Sequence, residues 1–225
     1  MQHAGCEDTT ELAIVAARLL DGAGIATLSV HGSSRPEDVV VTLDHQRGFV
    51  GQVVVDCLPA PGSQLRDPAV AGTRVILAVD EYAPLPQVRV LTASVHLRGV
   101  VSRVATNHVS AVRVTIEITD VAVSRFGECG VIDAQQIDEA PRDLLAEQAF
   151  DVAQELMTRF DTVLSTLAGA TCDSALIIGV SRRGLHLMTR QGKQARLSRI
   201  DFGEPAHSTD DVVAQLTLLM HTVAA

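Results

Sequence analysis

Ser174–Val180 (S-A-L-I-I-G-V), Ser181–Gly184 (S-R-R-G), Leu185–Arg190 (L-H-L-M-T-R), Gln191–Gln194 (Q-G-K-Q) and Ala195–Phe202 (A-R-L-S-R-I-D-F) follow one another without a break. Two short Gly-containing turns separate three runs rich in Val, Ile and Leu, the pattern of an antiparallel meander with tight hairpins. A long amphipathic segment precedes the meander. The apolar positions Leu144, Leu145, Ala149, Val152, Leu156, Phe160, Val163, Leu164 and Leu167 recur at helical spacing and predict a helix over Arg142–Leu167, with Pro141 in its first turn. After the meander, Ser208 and Asp211 form an S-x-x-D box that opens a helix over Thr209–Val223. The C-terminal part therefore reads as helix, three strands, helix.

Upstream the pattern is different. A first helix is expected over Asp8–Asp21, with Leu12, Val15, Ala16, Leu19 and Leu20 on one face and Gly22 and Gly24 at its end. Six strands follow: Gly24–Val30, Asp38–Asp44, Phe49–Val55, Val75–Val79, Val88–Val104 and Ala111–Val123. Three prolines in the 57–68 segment mark it as a loop. Gly99, inside the longest run, marks a bulge or a barrel corner. The alternation of Val112, Val114, Ile116 and Ile118 says that one face is buried and the other wet. Six strands without interleaved helices predict a closed or nearly closed antiparallel barrel, since closure or dimerisation hides strand edges. From Phe126 to Pro141 the strand pattern lapses. The expected organisation is thus α+β, with a barrel domain and its N-terminal helix over 1–135 and a C-terminal α-β-β-β-α domain over 136–225.

Composition narrows the function classes. Hydrophobic residues are 47% of the 225, but aromatics are only 3%, so the core is aliphatic and a base-stacking platform is not expected. A formal net charge of −9 argues against nucleic acid as a partner. No run of about 18 apolar residues is present to predict a membrane span, and the N-terminus has no signal-peptide pattern. Cys6, Cys57, Cys129 and Cys172 are far apart and form no C-x-x-C, which fits free thiols in a reducing cytoplasm. The carboxylates at Asp138, Glu139 and Asp143, and at Asp210 and Asp211, read as helix-end acids. No G-x-S-x-G, H-E-x-x-H or P-loop occurs.

Strands, meander and helices together resemble the haem-utilisation (HugZ-like) proteins, relatives of the pyridoxamine-phosphate-oxidase-like, FMN-binding split barrels. The residues that carry the resemblance are Gly184, Leu187, Ile200, Phe202, Pro205, Asp211 and Val212, with weaker likeness in G-I-A-T-L-S-V and V-H-L-R-G-V-V-S-R-V of the barrel. The resemblance implies a split β-barrel that forms a homodimer with its ligand at the dimer interface. Family members bind or degrade haem, and a plant relative acts by binding an enzyme of tetrapyrrole synthesis. Related barrels bind FMN or a deazaflavin. One departure bears on activity. Haem-associated members carry a histidine-rich motif on the long helix, whereas here no histidine occurs between His108 and His186. The expectation is therefore a haem-binding or regulatory protein of tetrapyrrole and iron metabolism rather than a haem oxygenase. A flavin- or deazaflavin-dependent oxidoreductase, and a protein-binding module without cofactor, are the alternatives.

Haem asks for an axial ligand, an apolar slot and cations for its propionates. His96 alternates with Val95 and Leu97 and shares its strand face with Arg98, and His221 stands near the C-terminus; these three are the candidate cofactor residues. His31 and His45 fall in expected turns, and His186 is expected on the wet face of its strand. For a flavin phosphate, Arg89, Arg98, Arg103, Ser94 and Ser102 form a basic stripe in which strand parity sets Arg98 opposite to Arg89 and Arg103.

Overall fold

The computed structural model describes residues 9–31, 37–43, 51–83, 89–106, 111–167 and 173–223. The chain divides into two compact units, Met1–Tyr82 with Leu91–Arg142, and Ala83–Val90 with Asp143–Ala225.

The first unit begins with α1 (Thr9–Arg18), whose last turn continues to Ala23 and is ended by Gly22 in the left-handed region at φ 99°. Strands β1 (Ile25–His31), β2 (Glu37–Leu43), β3 (Gln52–Cys57), β4 (Arg74–Tyr82), β5 (Leu91–Thr106) and β6 (Val112–Arg125) form a closed antiparallel barrel. Its order is β1-β2-β3-β6-β5-β4, and the ring closes through β4 on β1 and β6 on β3. Alternation places Leu28, Val30, Leu77, Val79, Leu97, Val114 and Ile116 inside, all buried, in one cluster with Leu12, Val15, Ala16 and Leu19 of α1.

β6 serves two partners. Its first half pairs with β3, from Val112↔Cys57 to Glu117↔Gln52. Its second half pairs with β7 (Glu128–Ile132), from Val121↔Ile132 to Arg125↔Glu128. β7 was not expected from the sequence, because E-C-G-V-I is short and lacks alternation. It forms because Phe126 (φ 47°) and Gly127 (φ 89°) turn the chain straight back onto β6. The handover lies where β5 and β6 bend. Arg98 pairs with Asp120 but Gly99 with Ile118, leaving Thr119 as the extra residue of a bulge, and its hydroxyl donates to the Arg98 carbonyl (3.1 Å). Gly99 is required here. A Cβ would meet the Glu117 carbonyl oxygen at 2.4 Å.

α1 is held over the barrel by shape and charge. Gly130 of β7 leaves room for Leu12, whose Cδ1 would be 2.5 Å from a Cβ there. The Arg18 guanidinium forks onto both oxygens of Glu81, each at 2.6 Å, and Thr92 donates to the Glu81 backbone carbonyl (3.2 Å). The 58–73 segment is a loop as its prolines require, and it carries two 3-10 turns, Gln64–Arg66 and Pro68–Val70. Arg66 secures it by donating from Nη2 to the Pro59 carbonyl (2.6 Å). After β7 comes α2 (Ala134–Asp138), opened by a capping box of Asp133 and Gln136 in a stretch whose strand pattern had lapsed.

In the second unit the single helix expected over 142–167 is two: α3 (Leu144–Glu147) and α4 (Ala149–Leu167), the latter distorted at Phe160. Strands β8 (Ser174–Ser181), β9 (Gly184–Gln191) and β10 (Gln194–Asp201) make the meander, in that lateral order. The hairpin turns fall at Arg182–Arg183 and Gly192–Lys193, with Gly192 at φ 58°. α5 (Thr209–Val223) follows, and Val152, Leu156 and Leu164 of α4 share a core with Ile177, Leu185, Leu187, Val212 and Leu216. The Ser208 hydroxyl accepts from the Asp211 amide (3.2 Å), while the Asp211 carboxylate accepts from the amides of His207 (2.8 Å) and Ser208 (3.1 Å). These bonds, the His207 amide foremost, hold the Asp211 carboxyl below the usual carboxylate range.

Two outcomes follow from this packing. Gly99→Ala is expected to lose about 1–3 kcal/mol of stability, because backbone rather than a flexible side chain must move aside; urea unfolding of the two proteins, compared at equal slope, measures it. The depressed Asp211 contributes stability that is present above the unfolded carboxylate range, near about pH 4, and is lost as pH falls through its folded value. Asp211→Asn is therefore expected to lower the thermal midpoint at neutral pH and to flatten its decline below about pH 4, read by circular dichroism along a pH series.

Candidate functional site

The outer surface of the barrel gathers the candidate side chains of the first unit. Ladder register sets Val40, Thr27, Ala78, His96, Ala122 and Val131 in one row across β2, β1, β4, β5, β6 and β7. His96 is exposed at the middle of the row, with an alanine on either side. The row ends are apolar and open: Val40 is 70% and Val131 72% exposed. Arg98 lies two residues along β5 on the same face, about 7 Å away by strand geometry, and is exposed opposite Asp120. Among the described residues, neither the His96 ring nor the Arg98 guanidinium has a hydrogen-bond or ion-pair partner. The imidazole, the guanidinium, the flanking alanines and Val131 thus share one accessible stretch of the outer surface, whereas Val40, on β2, lies across the closed ring from β5.

Strand parity misplaces Arg103. Val101 pairs with Ile116 but Arg103 with Thr115, so Ser102 is an extra residue and the register slips by one. Arg103 consequently turns outward and shares the outer face with Arg98. Ser94 is not available to a phosphate: it is buried and its hydroxyl donates to Asp80 Oδ1 (2.6 Å). The Ser102 hydroxyl is exposed and donates to the Thr115 carbonyl (3.3 Å). Arg89 lies ahead of β5.

His221 stands exposed on the last turn of α5, in the second unit. His186 corrects the sequence reading. It is 6% exposed, not on a wet face, because β9 is the central strand of its sheet and both of its faces are covered from Gly184 to Leu187. His31 is exposed at the end of β1, whereas His45 lies outside the described residues. Cys57 faces the barrel core and its thiol donates to the Val112 carbonyl (3.5 Å); burial, above all, raises its pKa, which makes it a poor nucleophile. Among the described residues no three His, Cys, Asp or Glu side chains come together as a metal site, and no helix is long and apolar enough to cross a membrane.

Comparison with solved structures places this architecture. A heme-binding protein from Mycobacterium smegmatis superposes with a TM-score of 0.51 over 96% of this chain and 98% of that one, at 18% identity. A protein of unknown function from Agrobacterium tumefaciens matches at a TM-score of 0.41 over 97% of both chains, at 15% identity. A member of the pyridoxinephosphate oxidase family from Clostridium acetobutylicum matches at 0.40 over 57% of this chain and 98% of its own, at 9% identity. No protein-family model matches the sequence, and no curated protein matches it. The fold is α+β, a closed six-strand antiparallel barrel with an extra strand and a separate three-strand sheet with its helices, and over nearly its whole length it is shared with the heme-binding protein. At these identities the likeness is one of fold.

Proposed function

We propose that this protein binds haem on the outer face of its barrel and handles or senses it, in a reducing cytoplasm, rather than degrading it. The observation that carries the reading is His96, an exposed imidazole without a partner among the described residues, set between Ala78 and Ala122 with Arg98 on the same face. The residues fit the group. His96 would hold the iron through an imidazole nitrogen, the two alanines would leave its ring approachable, Arg98 would offer a cation to a propionate, and the exposed Val131 would offer apolar contact. Bound haem would supply an iron centre able to take axial ligands. The same-fold heme-binding protein of Mycobacterium smegmatis supports the choice of ligand. A second copy of the chain is the partner proposed to cover this face, since open apolar positions on a sheet surface are stabilised by burial. His221 is the second candidate imidazole. The lack of histidine on α4 favours binding over turnover, and a role in tetrapyrrole or iron metabolism is the setting this implies.

A flavin or deazaflavin oxidoreductase is the second reading. It is favoured by the Ser102 bulge, which gives the outer face two guanidinium groups, Arg98 and Arg103, for a phosphate-bearing cofactor.

A haemin titration followed through the Soret band tests both. Saturable binding is expected, with His96→Ala weakening it about 10- to 100-fold and Arg98→Ala weakening it less. An effect of His221→Ala in place of His96→Ala would move the axial ligand to α5. Loss of neither, or no saturable shift, would overturn haem binding at this face. FMN added in the same assay, read by quenching of its fluorescence, decides the second reading.

A further inference from the structure

Closure of the barrel leaves the first unit one open sheet edge. Each of β1 to β6 pairs on both sides, whereas among the described residues β7 pairs only with β6. Hydrogen-bond parity says which of its groups face out. The Phe126 amide donates to the Thr92 carbonyl (2.9 Å), so the even-numbered residues at this end of β6 bond to β5, while Arg125, Val123 and Val121 turn to β7. The two-residue turn at Phe126–Gly127 requires the same, because the pair that closes it, Arg125 and Glu128, is a bonded pair. Gly130 and Ile132 then bond to β6, and Cys129 and Val131 direct their N–H and C=O groups to the open side. Among the described residues those groups meet no other backbone.

β7 also lacks what usually keeps strand edges apart, namely lysine, proline or an inward charge at the open positions. Cys129–Val131 holds no proline and no charge, and both Cys129 and Val131 are exposed. The strand is complementary to itself. Its two outward residues flank Gly130 symmetrically, so a second β7 laid antiparallel about Gly130 faces Cys129 with Val131 and Val131 with Cys129. Charge agrees with this register. Glu128, the one charged residue of the strand, would face Ile132 of the other copy, and the two Glu128 would stand about 14 Å apart. The inner side agrees as well. α1 lies against β7 there, since a Cβ on Gly130 would be 2.5 Å from Leu12 Cδ1. The facing residue is again Gly130, which brings no side chain toward the helix.

We propose that β7 is the edge through which two copies of this chain join, pairing antiparallel about Gly130 so that the β6–β7 hairpins of both barrels form one continuous sheet. Cys129 of each copy would exchange backbone hydrogen bonds with Val131 of the other, which satisfies all the outward groups of both strands at once. The contact is isologous, the same five residues serving on each side, and therefore closes as a dimer. The outer row that runs through Ala78, His96, Ala122 and Val131 would continue into Cys129 and Ser124 of the second copy. The pairing rests on the reading of a second copy as the partner at the His96 face, and it specifies the end of that face, Val131, at which the copy arrives. Haem itself takes no part in it.

Sedimentation equilibrium of the full chain is expected to show a monomer–dimer equilibrium. Cys129→Pro removes one outward donor from each copy and spares the bonds to β6, in which the Cys129 amide has no share; it is expected to weaken the dimer about 5- to 100-fold. Val40→Lys, exposed on β2 across the ring, is expected to leave the dimer unchanged. Cross-linking reads the register and does not depend on how well the proline variant folds. In a chain carrying Cys6→Ser and Cys172→Ser, the thiol introduced by Val131→Cys would face Cys129 of the second copy at a Cα separation of about 5.5 Å, and oxidation with diamide is expected to link the dimer. With Val131 kept, the two Cys129 are about 8 Å apart and no link is expected. A monomer at every concentration, a dimer unaffected by Cys129→Pro, or one dissolved by Val40→Lys would overturn the pairing. A link formed with Val131 kept would overturn the register about Gly130. Haemin titration of Cys129→Pro, which alters no residue of the proposed haem site, is run beside these: haem bound by a monomer rejects the β7 pairing alone, and a β7 dimer without saturable haem binding rejects the ligand alone.

Discussion

At Gly99 the backbone of β5 runs so near β6 that an added Cβ would lie 2.4 Å from the Glu117 carbonyl oxygen and 2.6 Å from Ile116 Cγ2. Only a residue without a side chain permits that approach, and much of the barrel depends on it. β5 and β6 are the long strands of the ring, 16 and 14 residues, and a closed barrel needs strands of this length to bend. The Thr119 bulge beside Gly99 provides the bend. It also separates the part of β6 that closes the ring on β3 from the part that carries β7. β7 in turn brings Gly130 beneath Leu12, where the small residue lets α1 settle against the apolar cluster.

With so few aromatic rings, the stabilising term is burial of Val, Leu, Ile and Ala on the inner faces of the strands. The polar pairs have a different task. Arg18 and Glu81 are largely shielded from water, at 15% and 24% side-chain exposure, and their bidentate geometry offsets the desolvation such a pair incurs. What the pair contributes is register: it fixes which turn of α1 lies over the end of β4. Arg113 and Asp56, more exposed, link β6 to β3 at the closing seam, and the Arg113 bonds hold the Asp56 carboxyl below its usual range.

The barrel and the meander present contrasting outer surfaces. Around His96 the barrel offers small and apolar side chains with a single imidazole and nearby guanidinium groups, a surface suited to a flat, largely apolar ligand with anionic arms. Among the described residues β10 is an edge strand of its sheet, with Arg196 and Leu197 exposed. A sheet face recognises through side chains, whereas a sheet edge recognises through backbone, so the two surfaces fit different chemistries even though both are built from strands.

The sequence by itself determined the α+β class, the six barrel strands, the three-strand meander, its flanking helices and the special position of Gly99. Each of these rests on local signals: periodicity, turn glycines, capping residues and breakers. His96 and Arg98 were legible as a pair because no bulge intervenes between them. Tertiary structure alone decided the rest. Arg103 changed faces because a single extra residue at Ser102 reverses strand parity, and no local signal marks it. β7 exists because the long β6 offers an open edge and the Phe126–Gly127 turn delivers the chain to it. His186 is buried because its strand is central, a fact set by lateral order. The alanines beside His96 come from β4 and β6, 18 and 26 residues away in the chain, and only ladder register brings them to its sides.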